Sequence, residues 1–332
     1  MKNKFKGYYK PLPDDLKKIW DNAIFIFDTN VLFDFYRYSN DTVEILFTIF
    51  EKIKDNIWIP NWVGLEYHRG LEDRIKEQVE HYTSSIKELK SFCDRIKKQR
   101  EHPFLTQDLQ EELGKFNKIF ETELNTQKNK LRNLIIENPI KEKIASIIGD
   151  NIGDPLTIEE ESLIIENGEK RLSQKIPPGY IDYKTKEKRP GLDKYGDYIL
   201  WYQILKEAKI KKKPFIFVTF DTKEDWYKLI SFNNSKIIFG ARPELVEEFL
   251  AIEDQSILLY PTPEFIDAAV ERLDLQIDDE KLEKVKAETS EPNSLEPELG
   301  EIQNQNESLE SLKVDIGSTE ASSETEGSLG NS

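Results

Sequence analysis

Four acidic residues stand where side chains of this pattern can do chemistry together. Asp28 closes an apolar run, Ala23-Ile24-Phe25-Ile26-Phe27, and is followed directly by Thr29-Asn30-Val31-Leu32. Glu66 comes shortly after a second apolar run, Ile57-Trp58-Ile59, which Pro60 ends. Asp197 opens a helical pattern after Gly196, and Asp221 lies just past the run Phe215-Ile216-Phe217-Val218-Thr219. Five apolar residues in a row suit a strand buried on both faces of a parallel sheet. The C-termini of such strands share one edge, the edge where open α/β sheets bind ligands. Carboxylates gathered there repel one another, which raises their pKa values until a cation neutralises them. Acids without convincing His or Cys partners suit hard divalent ions, Mg²⁺ or Mn²⁺. Two such ions stabilise the attacking and leaving oxygens of an in-line displacement at phosphorus, and the acids then serve as ligands rather than nucleophiles.

Each acid alone also has an ordinary explanation. An Asp after a strand caps a turn, an acid in the first turn of a helix is favoured by the dipole, and Glu66 can be a solvated helix residue. The common topological position of all four argues against coincidence. Two competitors stay open: Asp225 as the fourth ligand or as support for Asp221, and, more weakly, Asp193 for Asp197.

The elements needed to position these acids follow from periodicity. Short strands are expected at 23–28, 57–59, 215–219 and 236–239. Helices are expected at about 14–21, at 42–54 (Val43, Leu46, Ile49, Phe50 and Ile53 on one face), from near Trp62, from Gly196, and at 243–252. A last strand and helix are expected within 257–275. Between them, residues 70–136 read as a long helical hairpin. Ile75, Val79, Tyr82, Ile86, Leu89, Cys93 and Ile96 step by alternating four and three, a heptad seam. Leu109, Leu113, Phe116, Phe120, Leu124, Leu131 and Leu134 form the second stripe, with Pro103, Thr106 and Asp108 marking the turn. The seam serves either an intramolecular hairpin or a homodimer or partner interface. Two more helices are expected, from Pro139 to Gly149 and over 158–174, where Thr157 and Glu160 form a capping-box signature. The expected organisation is a discontinuous α/β core of 1–69 and 177–275, a helical insertion of 70–176, and an acidic tail of 276–332.

Composition sets the outer limits. The 332 residues carry 47 basic and 63 acidic side chains, a net charge of −16. Residues 287–332 contribute −10 of this and contain no aromatic residue, so they cannot bury enough apolar surface to offset chain entropy and are expected to be disordered. The single cysteine, Cys93, excludes an internal disulfide and a cysteine zinc site, and His68, His81 and His102 are not spaced as ligands. With no signal pattern and no apolar stretch of ~18 residues, a soluble, cytoplasmic protein without a membrane span is expected.

The ordered set Phe27-Asp28-Thr29-Asn30-Val31-Leu32, Trp58-Ile59-Pro60-Asn61-Trp62-Val63-Gly64-Leu65-Glu66, Tyr195-Gly196-Asp197 and Val218-Thr219-Phe220-Asp221 resembles the PIN-domain nuclease superfamily. More narrowly, it resembles large bacterial PIN-like proteins with a helical insertion. Tyr36-Arg37-Tyr38-Ser39, Lys175-Ile176-Pro177-Pro178-Gly179-Tyr180, Lys223-Glu224-Asp225-Trp226 and Arg242-Pro243-Glu244 are similar to further motifs of that group. The resemblance covers residues 20–250. It implies a Rossmann-like α/β/α sandwich with a central parallel sheet, and Mg²⁺- or Mn²⁺-dependent hydrolysis of phosphodiesters, usually RNA. It also implies catalytic metal-ligand positions for Asp28, Glu66, Asp197 and Asp221, with Asp225 as the further candidate. Asn30 then orients Asp28 or caps the next turn, and Thr219 matches the hydroxyl residue before the last acid. Endonucleolytic cleavage of RNA in a toxin-like or phage-defence setting is the leading reading. A catalytically silent nucleic-acid-binding scaffold, a DNA-directed nuclease and a metal-dependent phosphatase are the alternatives.

Further residues have two readings each. Arg37 either grips a substrate phosphate as a bidentate donor or pairs with an acid. Arg242 either contacts substrate or buttresses Asp221 and its loop. His68 and Arg69 read as surface residues. Lys184, Lys186, Lys188 and Arg189, and the cluster from Lys209 to Lys213, are basic patches that attract phosphates if they flank the site. Tyr180, Tyr183, Trp201 and Trp226 offer stacking for single-stranded bases, with core packing the alternative for Trp201.

Overall fold

The computed structural model describes residues 1–2, 5–98, 100, 104–186, 191–232, 235–253 and 255–290. The chain opens with helix α1 (Pro13–Asn22), started by Pro13 in the first turn, where a missing N–H costs nothing. It leads into strand β1 (Ile24–Phe27), buried along its whole length. Helices α2 (Thr29–Asp34) and α3 (Asn40–Ile53) follow. Residues Ile57 and Ile59 contribute only isolated parallel bridges, to Phe25 and Ile152. The expected strand at 57–59 is cut short because Pro60 supplies no N–H and caps helix α4 (Asn61–Lys97) at once.

Helix α5 (Gln107–Asn133) runs back along α4, with the Thr106 hydroxyl accepting from the Leu109 N–H at its start. The two arms thus form an intramolecular hairpin. The apolar stripe of α5 is only partly covered, since one partner helix shields one side: Leu109 and Phe116 are more than half exposed. Helices α6 (Pro139–Ile148) and α7 (Ile158–Ser173) follow, and the Thr157–Glu160 capping box is formed at the start of α7.

After the short helix α8 (Tyr183–Lys186), helix α9 (Gly196–Lys211) leads to strand β2 (Phe215–Val218). Strands β3 (Tyr227–Phe232) and β4 (Ser235–Ala241) form an antiparallel hairpin outside the parallel sheet. Helix α10 (Pro243–Glu253), strand β5 (Ile257–Tyr260) and helices α11 (Thr262–Arg272) and α12 (Asp279–Ser290) complete the described chain. The strand expected at 236–239 therefore exists, but as half of a hairpin, and its partner β3 was not anticipated.

The central sheet is parallel, in the order β1-β2-β5, with Phe27 opposite Val218 and Val218 opposite Tyr260. On one face Phe27 stacks on Phe50 of α3 at 4.2 Å, and Trp20 stacks on Phe265 of α11. On the other, Phe215 meets Phe249 of α10 and Phe217 meets Trp226. The result is an α/β/α sandwich. Helix α9 is buried nearly all round, with Tyr198, Ile199, Leu200, Trp201, Gln203 and Ile204 all enclosed, as befits a helix wedged between other elements.

Two expected boundaries shift. Residue 70 falls inside α4, so no joint separates core from insertion there. The later part of the expected insertion packs inward: Ile144, Ile147 and Ile148 join the main core, and Ile164 packs with Trp62, Tyr195, Tyr198 and Ile199. At the other end, residues 279–290 of the expected tail form α12. Val285 and Thr289 are buried there, and Glu288 accepts from the Ser39 and Thr42 hydroxyls at the start of α3. Residues 1–289 make one compact unit, and the tail beyond Ser290 lies outside the described residues.

Candidate active site

The register of β1 and β2 sets Asp28 beside Thr219. Each is the first residue past its strand, and the Asp28 N–H donates to Val218 O at 2.9 Å. Asp28 also caps α2, so the ordinary cap and the candidate ligand are the same residue. One carboxylate oxygen accepts the Thr29 N–H at 2.7 Å. The other accepts the Thr219 hydroxyl at 2.7 Å and the Asn30 amide at 2.8 Å. All these donors are neutral. The half-buried carboxylate has its pKa pushed up to about 7, first by lost hydration and then by the negative charges of Glu66 and Asp197, against the Thr219 hydrogen bond.

Asn30 is the bracket of the site. Its amide donates to Asp28 and, at 3.1 Å, to Thr219, and its carbonyl accepts the Phe220 N–H at 3.0 Å. The orienting reading is therefore the one the geometry gives. Thr219 is buried, and its hydroxyl also accepts the Asp221 N–H at 3.0 Å. Glu66, in the second turn of α4, accepts the Thr29 hydroxyl at 3.0 Å. Asp197 comes alongside because α9 starts with Gly196: a Cβ there would lie 3.1 Å from Trp62 Nε1 and 3.3 Å from Glu66 Oε1. Asp197 raises the pKa of Asp28, Asp221 and Asp225 alike. The acids are thus brought together electrostatically, and Asp193 is turned outward toward Arg69 at 3.6 Å.

The two candidates for the fourth acid differ. Asp221 is half-buried and raised above the ordinary range by burial, against the nearby Lys223 ammonium. Asp225 is fully buried, and one oxygen accepts the N–H groups of Gly179 and Ile181 at 2.9 and 3.2 Å. It ties the loop at 177–181 to the loop at 219–226. Its other oxygen is buried with no hydrogen-bond partner. Gly179 has φ +93°, and a Cβ there would come within 3.2 Å of Asp197 Cβ. Arg171 holds the same loop from behind, bonding the Pro177 carbonyl and both carboxylate oxygens of Glu248.

Other expected contacts resolve by geometry. Arg37 pairs with buried Asp34 at 2.8 Å and lies over the Phe220 ring, so the ion-pair reading is present. Burial pushes the Asp34 pKa up to about 6, with Arg37 pulling it back. Arg242 grips Glu244 through two nitrogens and donates to the Glu224 carbonyl at 3.0 Å, bracing the Asp221 loop. Trp201 and Trp226 are buried and pack on each other, which removes both as stacking platforms. Lys209 to Lys213 lie at the far end of α9, roughly 18 Å along the helix from Asp197, so this patch does not flank the site. Lys188, Arg189 and His102 lie outside the described residues. Lys223, part of the Lys223-Glu224-Asp225-Trp226 motif, and Asp182, which no local pattern singles out, sit at the edge of the cluster, and only the Pro-Pro-Gly motif signals the position of Gly179.

The candidate ligands are all carboxylates, the donor type that hard divalent cations take, and the charge of Asp197 raises the pKa of Asp28 and Asp221. Among the described residues no group of three or more His, Cys, Asp or Glu side chains is placed to hold a metal ion. A family model for a PIN-like domain matches residues 24–245. This chain belongs to the PIN-like family. The matched span holds Asp28, Glu66, Asp197, Asp221 and Asp225, together with Asn30, Thr219 and Arg242, and it includes the helical hairpin. PIN-like domains as a class are of nuclease type. No curated protein and no solved structure matches the chain. Among the described residues no helix is long and apolar enough to cross a membrane.

Proposed function

We propose that this PIN-like protein is a divalent-metal-dependent nuclease that hydrolyses phosphodiester bonds, with RNA the favoured polymer and Mg²⁺ or Mn²⁺ the ion. The observation that carries the reading is Asp28: a carboxylate held only by neutral donors, its pKa pushed up to about 7 by burial first and by the charges of Glu66 and Asp197 after it. A fold keeps such a repulsive arrangement when a cation is to be bound there. Asp28, Glu66, Asp197 and Asp221 are the proposed ligands. Bound there, the ion supplies charge neutralisation at the phosphate and a more acidic water.

The side chains have separate tasks in this reading. Asn30 and Thr219 hold the Asp28 carboxylate at a fixed angle, and the Thr29 hydroxyl does the same for Glu66. Asp225 fixes the loop against Asp197, and Arg242 fixes the backbone of the Asp221 loop. Arg37, a quarter exposed beside Phe220, is the proposed phosphate contact, its guanidinium anchored by Asp34. Tyr180 and Tyr183, both partly exposed, are the remaining candidates for stacking on unpaired bases.

The test is cleavage of labelled single-stranded RNA and DNA in Mn²⁺, Mg²⁺ or EDTA, with Asp28→Asn alongside. The expected result is metal-dependent cleavage, stronger on RNA, that falls by at least about a hundredfold in Asp28→Asn. Metal-independent cleavage, or full activity in a folded Asp28→Asn protein, defeats the proposal. Binding of RNA without cleavage under every condition favours the scaffold alternative.

A further inference from the structure

Lys223 is paired with two acids at the edge of the candidate site. Its ammonium lies 3.0 Å from Asp221 Oδ2 and 2.6 Å from Asp182 Oδ2, and its backbone N–H donates to the other Asp221 oxygen at 3.1 Å. The loop from 219 to 226 is braced at both ends, by Thr219 under the Asp221 N–H and by Arg242 on the Glu224 carbonyl. The short Lys223 tether therefore starts from a fixed point. Although burial opposes it, the hydrogen bond to Asp182 and the charge of Asp221 hold the ammonium pKa above the ordinary lysine value. The side chain is nonetheless 42 % exposed, so it has room to leave.

We propose that Lys223 is a built-in countercation of the metal site: its ammonium pairs with Asp221 and competes with a divalent ion for that carboxylate. The inference rests on the metal-site reading above. Two carboxylates sharing one ammonium are preserved without metal at little repulsive cost, and the same ammonium competes with an incoming ion for Asp221. Lys223 thereby lowers the affinity of the Asp221 side of the site while leaving the Asp28 side untouched, so that ion occupancy there depends on the ion concentration. It is a positioning residue.

Mn²⁺ binding by isothermal titration to the full chain tests this. Lys223→Met is expected to bind Mn²⁺ at least about tenfold more tightly than the wild type at its weaker site. Lys223→Gln serves as a second neutral variant. Lys223→Arg, which keeps the charge, should stay near the wild type. Lys206→Met, which removes an ammonium paired with Glu160 elsewhere, controls for net charge and should leave binding unchanged. Equal affinities in wild type, Lys223→Met and Lys223→Gln overturn the inference while leaving the metal site standing. An equal gain in Lys206→Met overturns it as well, because the effect is then one of overall charge. Absence of Mn²⁺ binding in all the proteins overturns the metal-site reading itself.

Discussion

One helix, α4, passes through two environments. Its inner turns bury Trp62, Val63, Tyr67, Leu71 and Ile75 around half-buried Glu66, whereas beyond Ile75 only Cys93 is buried. No described residue of α5 is buried at all. The outer arms carry their charges in short exposed pairs such as Lys115–Glu112, at 2.7 Å. Exposed pairs of this kind are worth little and are readily replaced. At the inner end, the charges stand in like-signed company under partial burial, which costs stability and raises pKa values. Where a fold accepts that cost, the charges are candidates for chemistry. Where charge is cheap, it keeps a helix soluble.

Two substitutions sharpen the contrast. The larger effect belongs to Gly179→Ala, at the loop against Asp197. The φ of +93° and the 3.2 Å approach to Asp197 Cβ oppose any side chain. The expected loss is about 1–3 kcal/mol in urea unfolding, together with weaker cleavage, since Asp225 loses its hold on the loop. A loss of this size with full activity would show that the loop matters to the fold and not to the acids. The smaller effect belongs to Lys115→Ala on the outer arm. Its expected change is within about 0.5 kcal/mol in the same assay, and cleavage is unaffected. A large loss there would mean that the hairpin's charges are structural after all.

The acids were legible because strands buried on both faces leave unbroken apolar runs whose ends are easy to see. Asp28 and Asp221 follow Phe27 and Val218–Thr219 for that reason, and the PIN-like resemblance supplied their order along the chain. Helix α2 was hidden because its cap is Asp28 itself. Strand β3 was hidden because Tyr227–Phe232 pairs only with the next strand and leaves no buried run. Arg171 meets Glu248 across 77 residues, and no local pattern reports such a contact. The basic cluster at Lys209 to Lys213 looked close to Asp197 in sequence, but a helix converts a dozen residues into length and carries it away from the site. Trp201 takes the core-packing alternative, because the face of α9 that carries it is enclosed.

The central claim is that Asp28, at the end of β1, opposes the fold until a cation joins it. Its most direct test is thermal unfolding of wild type and Asp28→Asn, with EDTA and with Mn²⁺, at pH 5 and pH 8. The Asp28 pKa rises from 3.8 unfolded to about 7 folded, so the ionised form is the disfavoured one, and its destabilising effect grows as pH climbs through that window. In EDTA, Asp28→Asn should melt a few degrees above wild type at pH 8, with the gap shrinking at pH 5. Mn²⁺ should then raise the wild-type midpoint at pH 8 and leave the variant nearly unmoved. A variant that melts below wild type in EDTA at pH 8, yet gains as much from Mn²⁺, would contradict the account.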